Sequence, residues 1–201
     1  MLLNIKKKFF FSFSELSELP SVNISEICFI GRSNSGKSSL INTILNKKNL
    51  SFSSKKAGNT NLINIFTLIP KNSVFFVVDL PGYGFNKILK YNNLNFVKLI
   101  SIYLNNRFNL ICAVLVIDSR RVMTDIDFYF LEIMFHKKLP ILILINKLDK
   151  LSKEEIKNNI FIIQKNLINL RTINLISVIK VNPNNLKKIQ IIIKTFLLNY
   201  Y

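Results

Sequence analysis

Glycine is scarce in this 201-residue chain. There are five, and none lies in a stretch that reads as the interior of a helix or strand. Gly31 and Gly36 bracket Gly-Arg-Ser-Asn-Ser-Gly-Lys-Ser (31–38). Gly58 precedes Asn59 and Thr60, and Gly82 and Gly84 stand in Asp-Leu-Pro-Gly-Tyr-Gly (79–84). Glycine tolerates positive φ and lets a backbone approach a ligand closely, so these loops are where the backbone is expected to do something unusual. Cysteine is scarcer still. Cys28 and Cys112 each lie in an apolar run expected to be a buried strand, which suits small reduced thiols. His136 is the single histidine, so no His/Cys cluster with metal-ligand spacing exists. Long apolar runs are also missing. Ile111–Ile117 and Ile141–Ile145 are strand-length, far below the ~20 residues of a spanning helix. Lys6–Lys8 precede only the patch Phe9–Phe13, too short for the ~7–15-residue apolar region of a signal peptide. A cytoplasmic, monomeric protein with no membrane partner is the expectation, and the length suits one domain.

Acidic residues are few, 11 against 28 Lys and Arg, for a net charge of +17. None occurs between Ile27 and Val78 or between Ile156 and Tyr201. That distribution favours a polyanionic partner such as RNA. Lysine outnumbers arginine 23 to 5, and Asn, Ile and Phe are abundant. An AT-biased genome would produce the same excess, so composition leaves both explanations open.

Apolar runs bounded by turn signals alternate with segments of helical period. Strands are expected at Ile27–Ile30, Leu62–Ile69, Val74–Val78, Ile111–Ile117, Ile141–Ile145 and Thr172–Ile179. The tight Pro70–Asn72 connection makes the second and third an antiparallel pair. Helices are expected at Lys37–Leu45, Leu94–Leu104, Asp125–Phe135, Glu154–Leu167 and Leu186–Leu198, the last with its apolar stripe at Leu186, Ile189, Ile193, Phe196 and Leu197. This alternation predicts an α/β three-layer domain with a mostly parallel sheet over residues 23–201, preceded by a peripheral extension at 1–22.

Segment 31–38 matches G-x-x-x-x-G-K-[ST] and follows an apolar strand directly. The amides of Gly31, Arg32, Ser33, Asn34, Ser35 and Gly36 would ring the α- and β-phosphates of a nucleotide, with the dipole of the next helix behind them. Lys37 would reach the β- and γ-phosphates and Ser38 would ligate Mg²⁺. Asp79 closes a strand where a carboxylate reaching Mg²⁺ through water is expected. In Leu80-Pro81-Gly82, Gly82 can offer its amide to a γ-phosphate, whose loss would release the loop. Asn146-Lys147-Leu148-Asp149 follows the fifth strand. The Asp149 carboxylate can accept from N1–H and the 2-amino group of guanine, whereas adenine has neither donor and would leave that charge unpaired. Asn146 would brace the loop, and the stem of Lys147 can lie over the base. Order and spacing together select GTP over ATP.

With these motifs in place the sequence resembles the EngB (YihA) family of bacterial ribosome-biogenesis GTPases from about Phe13 onward. The marks are Gly-Arg-Ser-Asn-Ser-Gly-Lys-Ser-Ser-Leu-Ile-Asn (31–42), Gly58…Thr60…Leu62-Ile63-Asn64, Asp-Leu-Pro-Gly-Tyr-Gly-Phe (79–85) and Ile-Asp-Ser-Arg-Arg (117–121). The resemblance implies a Ras-like fold, a six-stranded mostly parallel sheet with one antiparallel edge strand. It implies that Thr60 is the switch Mg²⁺ ligand, that Gly58, Asn59, Asn61 and Leu62 line the GTP site beside it, and that a loop near Ile176-Ser177-Val178 contacts guanine. Lys37, Thr60 and Gly82 would carry catalysis. The family is associated with large ribosomal subunit assembly and with septation in cell division, so the large subunit or its rRNA is the implied partner. A GTP-dependent division scaffold with little turnover is the alternative.

This chain departs from the family pattern in places. Asn146 stands where the family usually has Thr, and Ala57 and Asn59 replace a usual Pro and a basic residue. Val178 occupies a small-residue position and the glycine expected after it is missing. Tyr83 follows Gly82 where many GTPases place a water-orienting glutamine, so slow intrinsic hydrolysis is expected. Asn34 corresponds to a P-loop asparagine that coordinates K⁺ in related GTPases, and here it either does the same or braces the loop. Arg120 and Arg121 read equally as RNA contacts or as ordinary surface residues.

Overall fold

The computed structural model describes residues 10–13, 15–21, 23–45, 62–69, 73–84, 90–121, 123–167, 176–181, 189 and 191–193. Its strands are β1 (Phe10–Phe13), β2 (Glu26–Ile30), β3 (Ile63–Leu68), β4 (Phe75–Asp79), β5 (Leu110–Asp118), β6 (Ile141–Asn146) and β7 (Ile176–Lys180). Its helices are α1 (Lys37–Ile44), α2 (Lys90–Asn106), α3 (Asp125–His136) and α4 (Lys153–Leu167). The strands form one sheet in the order β1-β3-β4-β2-β5-β6-β7. β2, β4, β5, β6 and β7 run parallel, and β3 pairs antiparallel with β4 from Asn64↔Asp79 to Leu68↔Phe75.

The six expected strands are all present with their expected directions, and β1 adds a seventh. It pairs antiparallel with β3 over Phe10↔Phe66 to Phe13↔Ile63, and Ser12 Oγ donates to Asn64 Oδ1 at 2.8 Å. Without it, the outer edge of β3 would present a row of unpaired amides and carbonyls. The segment expected only as a peripheral extension therefore completes the sheet margin. Its phenylalanines have the strand propensity for that task.

Side-chain alternation sorts the central strands onto two faces. On one face Cys28, Ile30, Ala113, Leu115 and Ile117 pack with Ile100, Leu104, Phe130, Met134 and Ile163, from α2, α3 and α4. On the other, Ile27, Phe29, Val114 and Val116 pack with Leu40, Ile41 and Ile44 of α1 and with Ile189 and Ile193. Residues 189 and 191–193 are helical, with 189 and 193 on the buried stripe expected for the closing helix. The rest of that helix, and the Pro70–Asn72 connection, lie outside the described residues. Both thiols are free and buried, and burial pushes Cys112 up to about 12.

A buried charge cluster anchors the end of the sheet where β2 begins. The fully buried Glu26 carboxylate accepts from Tyr103 Oη at 2.7 Å, Arg107 Nε at 2.9 Å and Nη2 at 2.6 Å, and Asn109 Nδ2 at 3.0 Å. Arg107 Nη2 also donates to the Pro20 carbonyl and Asn109 Nδ2 to that of Ile24, at 2.8 and 2.6 Å. The N-terminal segment, the end of α2 and the start of β5 are thereby tied together. The opposite ends of the parallel strands all face one way, and the strand order reverses about β2. Open α/β sheets bind ligands at such a carboxyl-end crevice.

Candidate functional site

The loop after β2 turns straight into α1. Gly36 is the N-cap, with φ 100° and no side-chain cap, so the first helical amides are left for a ligand. A side chain at Gly36 would be strained at that φ and would run into Asn146 Nδ2. The close approach has a purpose, because Asn146 Nδ2 donates to the Ser35 carbonyl at 2.9 Å. Lys147, in the left-handed region at φ 65°, donates from Nζ to the Asn34 carbonyl. The base-side loop is thus stitched onto the phosphate loop by two side chains.

The loop after β4 closes the other side. Ser33 N donates to the Tyr83 carbonyl at 2.7 Å, and Ser33 Oγ to the Gly82 carbonyl at 3.0 Å. Lys37 Nζ donates to the Gly31 carbonyl at 2.9 Å. A Cβ on Gly82 would lie 3.0 Å from that ammonium and 2.9 Å from Ser33 Cα, so only glycine allows the two loops to meet here. Burial holds the Lys37 amine below its usual range, and Asp79 opposes that shift. Ser38 Oγ donates to Asp79 Oδ2 at 3.1 Å. A hydroxyl and a carboxylate side by side supply hard oxygen donors of the kind Mg²⁺ takes. Among the described residues no group of three or more His, Cys, Asp or Glu is placed to hold a metal ion.

Leu80, Pro81 and Leu148 are buried and serve the packing of their loops, while Leu62 is exposed just ahead of β3. Asp149 sits in the short 3-10 turn Leu148–Lys150, exposed, with Lys150 Nζ 3.0 Å from Oδ2. The Lys150 hydrogen bond holds its carboxyl below the usual range. Gly58, Asn59, Thr60 and Asn61 lie outside the described residues.

One expectation is corrected. Ile176, Ser177 and Val178 are not in a loop: they pair with Ile141, Leu142 and Ile143 inside β7. Leu142 is four residues short of Asn146 on β6, roughly 13 Å at ~3.3 Å per residue. The strand end that reaches the site is Lys180, and Val181 N donates to the Ile145 carbonyl at 2.7 Å. Residues 182–188, which follow, lie outside the described residues.

Two residues named from the sequence make contacts that no sequence pattern indicates. Tyr83 is buried, its hydroxyl donates to Asp127 Oδ1 at 2.5 Å, and its ring centroid lies 5.0 Å from that of Phe130. Asp127 Oδ2 in turn accepts from Thr124 N and Oγ1, both at 2.7 Å, capping α3. Burial, then Asp127, pushes the Tyr83 phenol well above its usual range. The Thr-x-x-Asp spacing announces the cap, but nothing local announces the tyrosine. The second is Arg120, whose guanidinium grips Asp118 at 2.9 and 2.6 Å. Burial would raise the Asp118 carboxyl, but Arg120 and Lys147 outweigh it and hold it at about 2.

A family model described as a 50S ribosome-binding GTPase matches residues 26–147. "Probable GTP-binding protein EngB" of Bordetella pertussis is 36% identical over 175 residues, covering 85% of this chain and 84% of its own. This chain belongs to the EngB family. The Flavobacterium johnsoniae protein of the same name is 42% identical over 160 residues, 80% of this chain and 75% of its own. The solved structure of a probable GTP-binding protein engB covers 88% of this chain and 98% of its own, at 24% identity and a TM-score of 0.60. That last likeness shows the Ras-like fold. In this EngB-type GTP-binding protein the phosphate loop meets the Asp-Leu-Pro-Gly loop on one side and the Asn-Lys-x-Asp loop on the other.

Proposed function

We propose that this EngB-family protein binds GTP with Mg²⁺, hydrolyses it slowly, and acts as a cytoplasmic, monomeric assembly factor on the large ribosomal subunit. The observation that carries the reading is the joining of the three loops, by Asn146 and Lys147 on one side of the phosphate loop and by Ser33 and Gly82 on the other. Lys37 would neutralise phosphate charge and Gly82 would offer its amide beside it. Ser38 would hold Mg²⁺ directly and Asp79 through water, with Thr60 as the further ligand, and the ion would supply charge neutralisation for the triphosphate. An ionised Asp149 would accept from guanine. Asn34 would contribute to a K⁺ site. Slow turnover follows from Tyr83, whose hydroxyl is committed to Asp127 rather than to a water at the phosphate.

The net charge of +17 and the description of the matching family model support a ribosomal RNA partner. Co-sedimentation with purified large subunits tests this. Association should strengthen with a non-hydrolysable GTP analogue and fall steeply with salt. No nucleotide-dependent association at moderate salt would leave the division scaffold as the better reading, which the buried Tyr83 also favours because it needs no turnover.

A further inference from the structure

Asp118, the last residue of β5, stands between two cations. Arg120 Nε donates to Oδ1 at 2.9 Å and Nη2 to Oδ2 at 2.6 Å, while the Arg120 amide donates to Oδ1 at 3.1 Å. Lys147 Nζ donates to Oδ2 at 3.2 Å and also to the Asn34 carbonyl. The carboxylate is 6% exposed and the Lys147 side chain 26%. Asn34 and Lys147 are both non-glycine residues with positive φ, 64° and 65°. Such conformations are strained for residues with a side chain and persist only where their surroundings impose them. Here two left-handed residues, one on each loop, face each other across a single ammonium.

We propose that Asp118 is a positioning residue for guanine-nucleotide binding, acting through Lys147. It rests on the GTP reading above and extends it to a residue outside the three motif loops. The ammonium has three protons, of which the Asn34 carbonyl and Asp118 Oδ2 each take one. The carboxylate draws Lys147 to one place, so the phosphate loop and the base-side loop form a single cradle before nucleotide arrives. A lysine left free would have to be ordered during binding, at a cost in affinity that prior ordering removes. Charge matters here as well as shape. An amide at position 118 has one accepting oxygen in place of two and exerts no Coulomb pull of a full charge on Lys147, and its NH₂ group would face a cation. Arg120 is the brace: its two-pronged contact fixes the carboxylate plane and keeps Oδ2 turned toward Lys147.

The test is a titration with a fluorescent GDP analogue, using the full chain and the variants Asp118→Asn, Arg120→Ala, Lys147→Ala and Asp118→Asn combined with Lys147→Ala. Asp118→Asn should weaken binding about tenfold, the size expected for one charge-assisted hydrogen bond, and Arg120→Ala about threefold. In the Lys147→Ala background Asp118→Asn should add nothing, because its effect travels through the lysine. An equal loss with and without Lys147 would mean a structural role and overturn the proposal, as would a folded Asp118→Asn protein that binds within twofold of wild type. If Asp118→Asn melts below the assay temperature, Arg120→Ala and its combination with Lys147→Ala complete the same cycle: a loss that vanishes without Lys147 supports the proposal, and an equal loss overturns it. Absence of guanine-nucleotide binding by the wild type would overturn the reading of the site itself. Tight wild-type binding with unaffected variants would overturn the positioning role alone.

Discussion

Replacing Tyr83 by Phe removes one oxygen and leaves the ring to pack against Phe130. The hydrogen bond to Asp127 Oδ1 at 2.5 Å disappears, in surroundings where Tyr83 is fully buried and Asp127 nearly so. Hydrogen bonds to charged groups contribute roughly 1.5–3 kcal/mol, and a buried acceptor that loses its donor bears the desolvation cost. Asp127 keeps both bonds from Thr124 through its other oxygen, so the lower half of that range applies, about 2 kcal/mol. For a chain of this size that shifts the melting temperature by about 5 °C. Differential scanning calorimetry at pH 7 reads it directly. The pH dependence supplies a second signature. The folded phenol titrates above its unfolded value of ~10, so the contribution is fully present below pH ~10 and is lost as pH rises through the higher folded value. Tyr83→Phe should therefore melt lower at neutral pH and show a shallower loss of stability above pH ~10. A variant melting within 1 °C of wild type at pH 7, roughly the assay error, would refute the buried bond.

Glu26→Ala leaves the Arg107 guanidinium, 11% exposed, without its carboxylate. Breaking such a pair costs about 3 kcal/mol or more, so urea denaturation should show that loss while GDP affinity stays as in wild type, the cluster being at the far end of the sheet. Lys37→Ala takes the buried ammonium from between Gly31 and Gly82; GTP binding by isothermal calorimetry should fall at least ~100-fold, about 3 kcal/mol, with the circular dichroism spectrum unchanged. Single-turnover hydrolysis should run faster in K⁺ than in Na⁺ buffer, and Asn34→Ala should abolish the difference; equal rates in the two salts would remove K⁺ from the site.

What the sequence disclosed followed from how local each feature is. The phosphate loop was legible because its geometry depends on eight consecutive residues, and the strands because apolar runs of β5 and β6 are buried on both faces. The Tyr83–Asp127 and Glu26–Arg107 contacts span 44 and 81 residues, and no local pattern encodes such a pairing. The loop near Ser177 is a different case: it rested on the family resemblance alone, whereas the apolar run at Thr172–Ile179 reads as a strand, and its register with β6 carries Ser177 to Leu142. The strand character of β1 was hidden too, since a short phenylalanine run has no periodicity long enough to separate strand from leader. Arg120 reads equally as an RNA contact or a surface residue in the sequence because nothing local there marks Asp118, two residues away, as its partner.

Competition between nucleotides puts the crevice to the most direct trial. With a fluorescent GDP analogue bound in Mg²⁺ buffer, unlabelled GDP and GTP should displace it at comparable concentrations. ATP should need at least ~100-fold more, because adenine offers Asp149 no donor and leaves its charge unpaired. Asp149→Asn should erode that preference. Displacement by ATP as effective as by GTP in the wild-type protein would contradict the assignment of the Asn146–Asp149 loop to guanine.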